Sequence, residues 1–232
     1  MILVTGATGI LGRVIVLELL KRGKTVRATK RKSSNLQEVR KSFQFYTETP
    51  NEYFDSIEWI EVDFEDIHSL QNALNGVEEV YHCAAKVSFH PKDEKKMYQT
   101  NIEGTKQLLF ACQNSSVKKF LFVSSIAVLD GLNENGELDE SSDFNPKIDH
   151  SAYAISKHFS EMEVWRASAE GLNTVIVNPG LIIGSGNWKE SSGTLFMEFE
   201  KNDYTFSGGT SYVDVRDVAQ ISIELMEKNI FG

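Results

Sequence analysis

Short runs of β-branched and aromatic residues alternate along the whole chain with longer amphipathic stretches. The runs predict strands at 1–5, 25–29, 57–62, 79–85, 119–125 and 174–179, and several of them are apolar on both faces. The stretches predict helices over 10–22, 66–75, 95–114 and 151–170. A strand that is apolar on both faces must lie between two helical layers, and regular alternation favours right-handed βαβ units. The sequence therefore predicts an α/β fold with a doubly wound parallel sheet.

Composition excludes several classes of protein. The 232 residues carry 24 Lys and Arg against 33 Asp and Glu, a net charge of −9 without a basic tail, which argues against a nucleic-acid partner. The opening "MILVTGATG" lacks the pattern of a secretory signal, and no apolar run approaches the roughly 18 residues of a membrane span. Cysteine and histidine spacings match no metal site, so no metal is expected. These features favour a cytoplasmic protein without a membrane partner.

A glycine-rich turn, "VTGATGILGRVI", joins the first predicted strand to the first helix. Gly6 would permit the tight turn, Gly9 would let the backbone approach a pyrophosphate, and Gly12 would let the helix pack close to the sheet. The free N–H groups at the helix start would face the anion, helped by the helix dipole. The alternative is a glycine-rich turn that binds no ligand.

The second predicted strand ends in a basic run. Thr29 is followed by Lys30, Arg31 and Lys32, whereas an NAD-binding protein usually places a carboxylate here on the ribose 2′-OH. A guanidinium at this position can hold a 2′-phosphate through two hydrogen bonds. The run therefore favours NADP (NADPH) as cofactor, with NAD possible, although a solvated basic loop is the alternative.

Serine, tyrosine and lysine follow the fifth predicted strand. "FVSS" places Ser124 and Ser125 at the carboxyl edge of the sheet, and alternation along the strand lets only one of them face a cleft there. Tyr153 and Lys157 lie four residues apart on a predicted helix, so they share one face.

These motifs together resemble the extended branch of the short-chain dehydrogenase/reductase superfamily, in particular its dihydroflavonol-reductase and 3β-hydroxysteroid-dehydrogenase-like members. The resemblance covers essentially the whole chain and implies an NAD(P)-binding Rossmann fold. The motifs that carry it, in chain order, are "TGATGILG", "VDFED", "HCAAKV", "TNIEGT", "FVSSIAV", "YAISK", "NPGLIIG" and "YVDVRDVA".

The resemblance also implies roles for individual residues. Tyr153 would be the general acid, with its pKa lowered by Lys157 and the oxidised nicotinamide, and Ser125 would bond the developing oxyanion. Lys157 would also bond the nicotinamide ribose, and Asn101 is a possible supporting residue. The remaining cofactor contacts would be Gly6, Thr8, Gly9, Ile10, Leu11 and Gly12 in the turn, Arg31 at the 2′-phosphate, Asp63 and Phe64 at the adenine, Ala84, Ala85 and Lys86 along the pyrophosphate and ribose, and Pro179 and Gly180 at the nicotinamide.

The function implied is NADP-dependent reduction of a ketone or aldehyde in a small organic substrate. One alternative is a nucleotide-sugar epimerase or dehydratase, but relatives of that kind commonly have other residues where this chain has Ile126, Ala127 and Leu129. A second alternative is a non-catalytic NADP-binding regulator, although such relatives usually lose the Tyr–Lys pair.

The resemblance divides the chain into a dinucleotide-binding domain at 1–186, a partial substrate lobe at 187–211 and a returning helix at 212–232. That helix is expected to open at Asp214 with a capping box to Asp217. Relatives of the extended branch continue beyond it, so we expect an open substrate side, apolar surface near this helix and weak turnover from the 232-residue chain. On the helix at 151–170 we expect Ile155, Phe159, Met162 and Trp165 to pack, and the family makes a homodimer plausible.

Overall fold

The computed structural model, which describes residues 1–88, 90–186, 197, 200–202 and 209–231, has a six-stranded parallel sheet. Its strands are β1 (Ile2–Thr5), β2 (Val26–Lys30), β3 (Glu58–Glu61), β4 (Glu79–His82), β5 (Lys119–Val123) and β6 (Asn173–Val177). They lie in the order β3-β2-β1-β4-β5-β6, which confirms the predicted doubly wound fold. Each predicted strand is present, within a few residues of its predicted bounds.

Helices cover both faces of this sheet. They are α1 (Ile10–Lys21), α2 (Leu36–Ser42), α3 (Pro50–Asp55), α4 (Ile67–Ala73), α5 (Glu94–Tyr98), α6 (Gly104–Gln113), α7 (Ala152–Ala169) and α8 (Val215–Glu227). One apolar core lies under α1, α2, α3 and α8, and a second lies under α4, α6 and α7. Within the described ranges, no helix combines the length and the apolar character that crossing a bilayer requires.

The helical stretch expected over 95–114 is present, but it is not α-helical throughout. A π-helical turn, Gln99–Glu103, separates α5 from α6. The side chain of Asn101 in this turn forms hydrogen bonds with the backbone of Lys86. The backbone carbonyl of Asn101 accepts a hydrogen bond from the Ser160 hydroxyl. Such turns appear where side chains enter the helical hydrogen-bond ladder, and periodicity alone does not show them.

A second, two-stranded sheet lies late in the chain. Its parallel strands β7 (Leu181–Ile183) and β8 (Tyr212–Asp214) did not follow from the sequence pattern. Asp214 then caps α8 as expected, but its carboxylate accepts from the N–H of Arg216 instead of Asp217. Most of the partial substrate lobe expected at 187–211 lies outside the described residues. Ile221 on α8 and Ile230 just after it are exposed.

The expected packing face of α7 is wrong. Phe159, Met162 and Trp165 are 51%, 47% and 44% exposed, and Ile155 is partly exposed. The helix instead buries a face made mostly of small residues, which lets it approach the sheet closely: Ala154, Ser156, Lys157, Ser160, Val164 and Ala167. The large apolar side chains therefore form an outward stripe.

Candidate active site

The three glycines of the turn between β1 and α1 differ in how closely other backbone atoms pack against them. Gly6 has φ +65°, and a Cβ there would lie 2.6 Å from the backbone nitrogen of Ala84. A Cβ on Gly12 would lie 2.3 Å from the carbonyl oxygen of Gly6. Gly9 is exposed with φ −75°, and a Cβ there would meet only the Gly6 oxygen, at 3.2 Å. Internal packing thus accounts for Gly6 and Gly12, whereas Gly9 leaves open backbone at the start of α1, which suits a phosphate group.

The start of α1 is free to receive an anion. Gly9 is its N-cap residue, and no acidic side chain lies in its first turn. The N–H groups of Ile10 and Leu11 have no partner within a helix at these positions.

Arg13 holds this turn in place, a role that the sequence pattern did not indicate. Its Nε donates to the carbonyl oxygen of Gly9 at 3.1 Å, and its Nη2 donates to that of Thr8. Nη2 also lies 3.1 Å from the carboxylate of Glu38 on α2, although the guanidinium is almost completely buried. The sequence shows an arginine directly after the last glycine of the turn. It does not show that this arginine pairs with a residue 25 positions further along the chain.

The basic run after β2 is only partly free. Lys30 lies 3.7 Å from the Glu61 carboxylate on β3, whereas Arg31 and Lys32 are exposed. Asp63, just after β3, accepts the N–H of Glu65 and is exposed. The Phe64 ring packs toward His82, 5.9 Å between centroids, and so lies partly in the core.

A buried histidine connects β4 to the glycine turn. The Nδ1 of His82 lies 2.6 Å from the Thr5 hydroxyl and its Nε2 lies 3.0 Å from the Thr105 hydroxyl. Burial, aided by the charge of Lys157, lowers the pKa of His82 to about 3, so the ring is neutral with one donor and one acceptor. The Thr5 hydroxyl also accepts the N–H of Ala84 at 3.3 Å. This arrangement fixes the segment after β4 beside the turn.

Asn101 anchors the same segment from the other side. Its Oδ1 accepts the N–H of Lys86 at 2.7 Å, and its Nδ2 donates to the Lys86 carbonyl and to the Ser156 hydroxyl. The Lys86 ammonium lies 3.3 Å from Asp93, while Ala85 is exposed at the edge. Asn101 therefore ties the Ala84–Lys86 segment to α7 next to Lys157.

Ser125 and Tyr153 meet at the carboxyl end of β5. Burial raises the pKa of Tyr153, and a hydrogen bond from Ser125 partly offsets this effect. Loss of solvent around the phenol outweighs the effect of Ser125. The lowering expected from Lys157 together with the oxidised nicotinamide stays a prediction for the cofactor complex. Ser124, by contrast, is buried and its hydroxyl has no hydrogen-bond partner among the described residues. The strand thus presents the second serine to the phenol.

Lys157 lies one helical turn beyond Tyr153 and is 2% exposed. Its ammonium donates to the Val123 carbonyl at 2.6 Å and lies 4.1 Å from the centroid of the Phe122 ring. Burial lowers its pKa to about 7, while Glu161 and Cys83 favour the charged form. A lysine with this pKa changes charge near neutral pH.

The segment after β6 packs against the Ser125–Ile126 backbone and against Glu161 on α7. Asn178 donates from Nδ2 to the Glu161 carboxylate at 2.7 Å and to the Ser125 carbonyl at 3.3 Å. The Pro179 carbonyl accepts the N–H of Ile126. A Cβ on Gly180 would lie 2.5 Å from the Ser211 carbonyl oxygen, so packing against the Ser211 backbone requires glycine at this position. Asn178 and Glu161 were not singled out from the sequence.

This chain is similar to known proteins over nearly its whole length. Sterol demethylase protein B of Methylococcus capsulatus is 31% identical over 233 residues, which cover 99% of this chain and 67% of that protein. Dihydroflavonol 4-reductase of Arabidopsis thaliana is 28% identical over 240 residues, covering 97% of this chain and 62% of the reductase. The crystal structure of gox2253 has a TM-score of 0.82 and 28% identity, covering 98% of this chain and 66% of that one.

The chain spans about three fifths to two thirds of the length of these relatives. The sequence profile of the NAD-dependent epimerase/dehydratase family matches residues 2–231. This match extends over both the glycine turn and the Ser–Tyr–Lys group. The chain therefore belongs to the NAD-dependent epimerase/dehydratase family.

Proposed function

We propose that this chain is the cofactor-binding and catalytic part of an NADPH-dependent reductase that acts on a ketone or aldehyde. The observation that carries the proposal is the convergence of three groups: the Ser125 hydroxyl lowers the pKa of the Tyr153 phenol, and the buried Lys157 lies one helical turn further along α7. The open backbone at Gly9 and the free start of α1 suit the pyrophosphate of a nicotinamide cofactor. The bound cofactor would supply the hydride.

The side chains divide the remaining chemistry. Tyr153 donates a proton to the carbonyl oxygen, and Ser125 donates a hydrogen bond to the same oxygen as negative charge develops on it. The positive charge of Lys157 favours the phenolate that Tyr153 leaves behind. The raised pKa of Tyr153 keeps the phenol protonated before reaction, as a general acid requires.

The preference for NADPH rests on Arg31 and Lys32. Both are exposed after β2, and neither has an ion-pair partner within the described ranges. A 2′-phosphate carries close to two negative charges and three acceptor oxygens, which a guanidinium matches. Lys30 contributes less because it is paired with Glu61.

Reductase chemistry is favoured over epimerisation by the relatives of 28–31% identity, of which the Arabidopsis protein is named a reductase. A regulator that binds cofactor without turnover would not need Tyr153 and Lys157 in one site. Consumption of NADPH with a panel of ketones and aldehydes tests the reductase. Chromatographic detection of the epimerised UDP-sugar tests the epimerase, because epimerisation consumes no NADPH overall.

The decisive variant is Tyr153→Phe. It should abolish carbonyl reduction and leave NADPH affinity within about twofold, because the phenol acts on substrate. Tyr98→Phe on α5 removes a phenol outside the site and is the matched control. Retained turnover in Tyr153→Phe would refute the assigned acid, and cofactor binding without turnover on any substrate would favour the regulator.

We also propose that the α7 stripe contacts a second copy of this chain. Phe159, Met162 and Trp165 are each about half exposed on one helix, and Phe110 on the neighbouring α6 is 54% exposed. Apolar surface of this kind is typical of interfaces. Light scattering should give a dimer for the wild type and a monomer for Trp165→Glu; a monomeric wild type would refute the proposal.

A further inference from the structure

The guanidinium of Arg13 has an unused donor. Its side chain is 3% exposed, and Nε and Nη2 are occupied by Gly9, Thr8 and Glu38. Nη1 is buried and has no hydrogen-bond partner among the described residues. A Cβ built on Gly186 would lie 3.3 Å from Nη1, so a side chain at this position would crowd the free nitrogen. A buried, unsatisfied charged donor is costly unless a ligand completes it.

Glu38 brings a negative charge to the edge where the adenosine ribose is expected. It is the third residue of α2, and Asn35 at the start of that helix accepts its N–H. The helix follows the carboxyl end of β2, which is where cofactors with this fold place the ribose 2′ position. The carboxylate is 36% exposed, so it can meet both Arg13 and a ligand.

We propose that Arg13 and Glu38 form a charge pair that determines which nicotinamide cofactor is accepted. This inference rests on the proposed function. A 2′-phosphate would compete with the Glu38 carboxylate for the Arg13 guanidinium and occupy its free Nη1. A 2′-hydroxyl would leave the pair intact and donate to Glu38. Glu38 therefore weakens NADPH binding and supports NADH binding, whereas Arg31 favours NADPH.

The test is Glu38→Gln, which removes the charge and keeps the shape of the side chain. Cofactor fluorescence titrations should show NADPH affinity rising about tenfold, the size expected for one charge removed about 6 Å from a phosphate at a solvated site. NADH affinity should stay constant or fall. The gain should shrink in 0.5 M salt because added ions screen the repulsion.

A matched control removes the same charge from another Arg–Glu pair. Glu58, at the amino end of β3, lies 2.9 Å from Arg27, away from the edge that carries the glycine turn. Glu58→Gln should leave the ratio of NADPH to NADH affinity unchanged. An unchanged ratio in Glu38→Gln, or an equal shift in Glu58→Gln, would overturn the inference.

Arg13→Gln separates ligand binding from support of the turn. If Arg13 only holds the Thr8 and Gly9 carbonyls, both cofactors should lose affinity equally, and this result would contradict the inference. We expect NADPH to lose at least tenfold more than NADH. Arg13→Lys, which keeps the charge without the forked geometry, covers the case in which Arg13→Gln fails to fold, and should lose NADPH affinity selectively.

The two proposals fail in different ways. A folded wild type that binds neither cofactor would refute the proposed function and the charge pair together. If the wild type binds both cofactors while Glu38→Gln leaves their ratio unchanged, only the charge-pair inference is refuted.

Discussion

Replacing Lys157 by methionine should stabilise the protein at the expense of its function. The pKa of this buried ammonium falls from its ordinary 10.5 to about 7. At 1.36 kcal/mol for each pKa unit, the difference corresponds to about 5 kcal/mol of lost stability at pH 6, where the lysine is protonated in both the folded and the unfolded state. Methionine fills similar space without a charge, but it leaves the Val123 carbonyl without its donor, which costs about 1–3 kcal/mol. The net gain at pH 6 should therefore be about 2–4 kcal/mol.

The dependence on pH gives the sharper test. Between pH 7 and 10.5 the unfolded lysine binds more protons than the folded one, so the wild type gains stability as the pH rises. The cost of burying the lysine should fall to about 1 kcal/mol at pH 9.5. The advantage of Lys157→Met should accordingly decrease by about 3 kcal/mol between pH 6 and 9.5, since other ionisable groups cancel between the two proteins.

Urea unfolding without cofactor, followed by circular dichroism at several pH values, measures both quantities. Lys95→Met, which replaces an exposed lysine on α5, is the control for loss of a lysine and should show no comparable change with pH. A stability difference for Lys157→Met that stays constant from pH 6 to 9.5 would refute the reasoning, because burial would then not be what shifts this lysine.

Three further predictions concern the turn, the cofactor and the segment before α7. Gly9→Ala should keep the melting temperature within a few degrees yet lose NADPH binding, whereas Gly12→Ala should destabilise the fold by about 2 kcal/mol or more, as thermal unfolding and titration would show. NADH affinity should fall as the pH rises from 6 to 8.5, because Lys157 loses its charge near pH 7. Lys157→Met should abolish this pH dependence. NADH is used here because, unlike NADPH, it has no 2′-phosphate that titrates in this range. Phe144 stacks on His158 at 4.0 Å, so Phe144→Ala should increase proteolysis within 131–150, and unchanged cleavage would contradict a clamping role.

Local sequence rules by themselves determined much of the site. Strand–helix alternation indicated the parallel sheet, and with it the edge at which the glycine turn and the serine would meet. The spacing of Tyr153 and Lys157 placed both on one face because an α-helix repeats every 3.6 residues. Alternation along β5 allowed only one of Ser124 and Ser125 to face the phenol. Each of these inferences depends on backbone geometry over a few residues.

Only the tertiary structure shows which residues that are far apart in the chain contact each other. Arg13 meets Glu38 across 25 residues, and Lys157 meets the Val123 carbonyl across 34. The packed chain removes solvent from around Tyr153, which raises the pKa of the phenol. It also left the apolar stripe of α7 outside, because small residues allowed the opposite face to approach the sheet. Desolvation and long-range pairing depend on the packed chain, so periodicity and motif spacing carry no information about them.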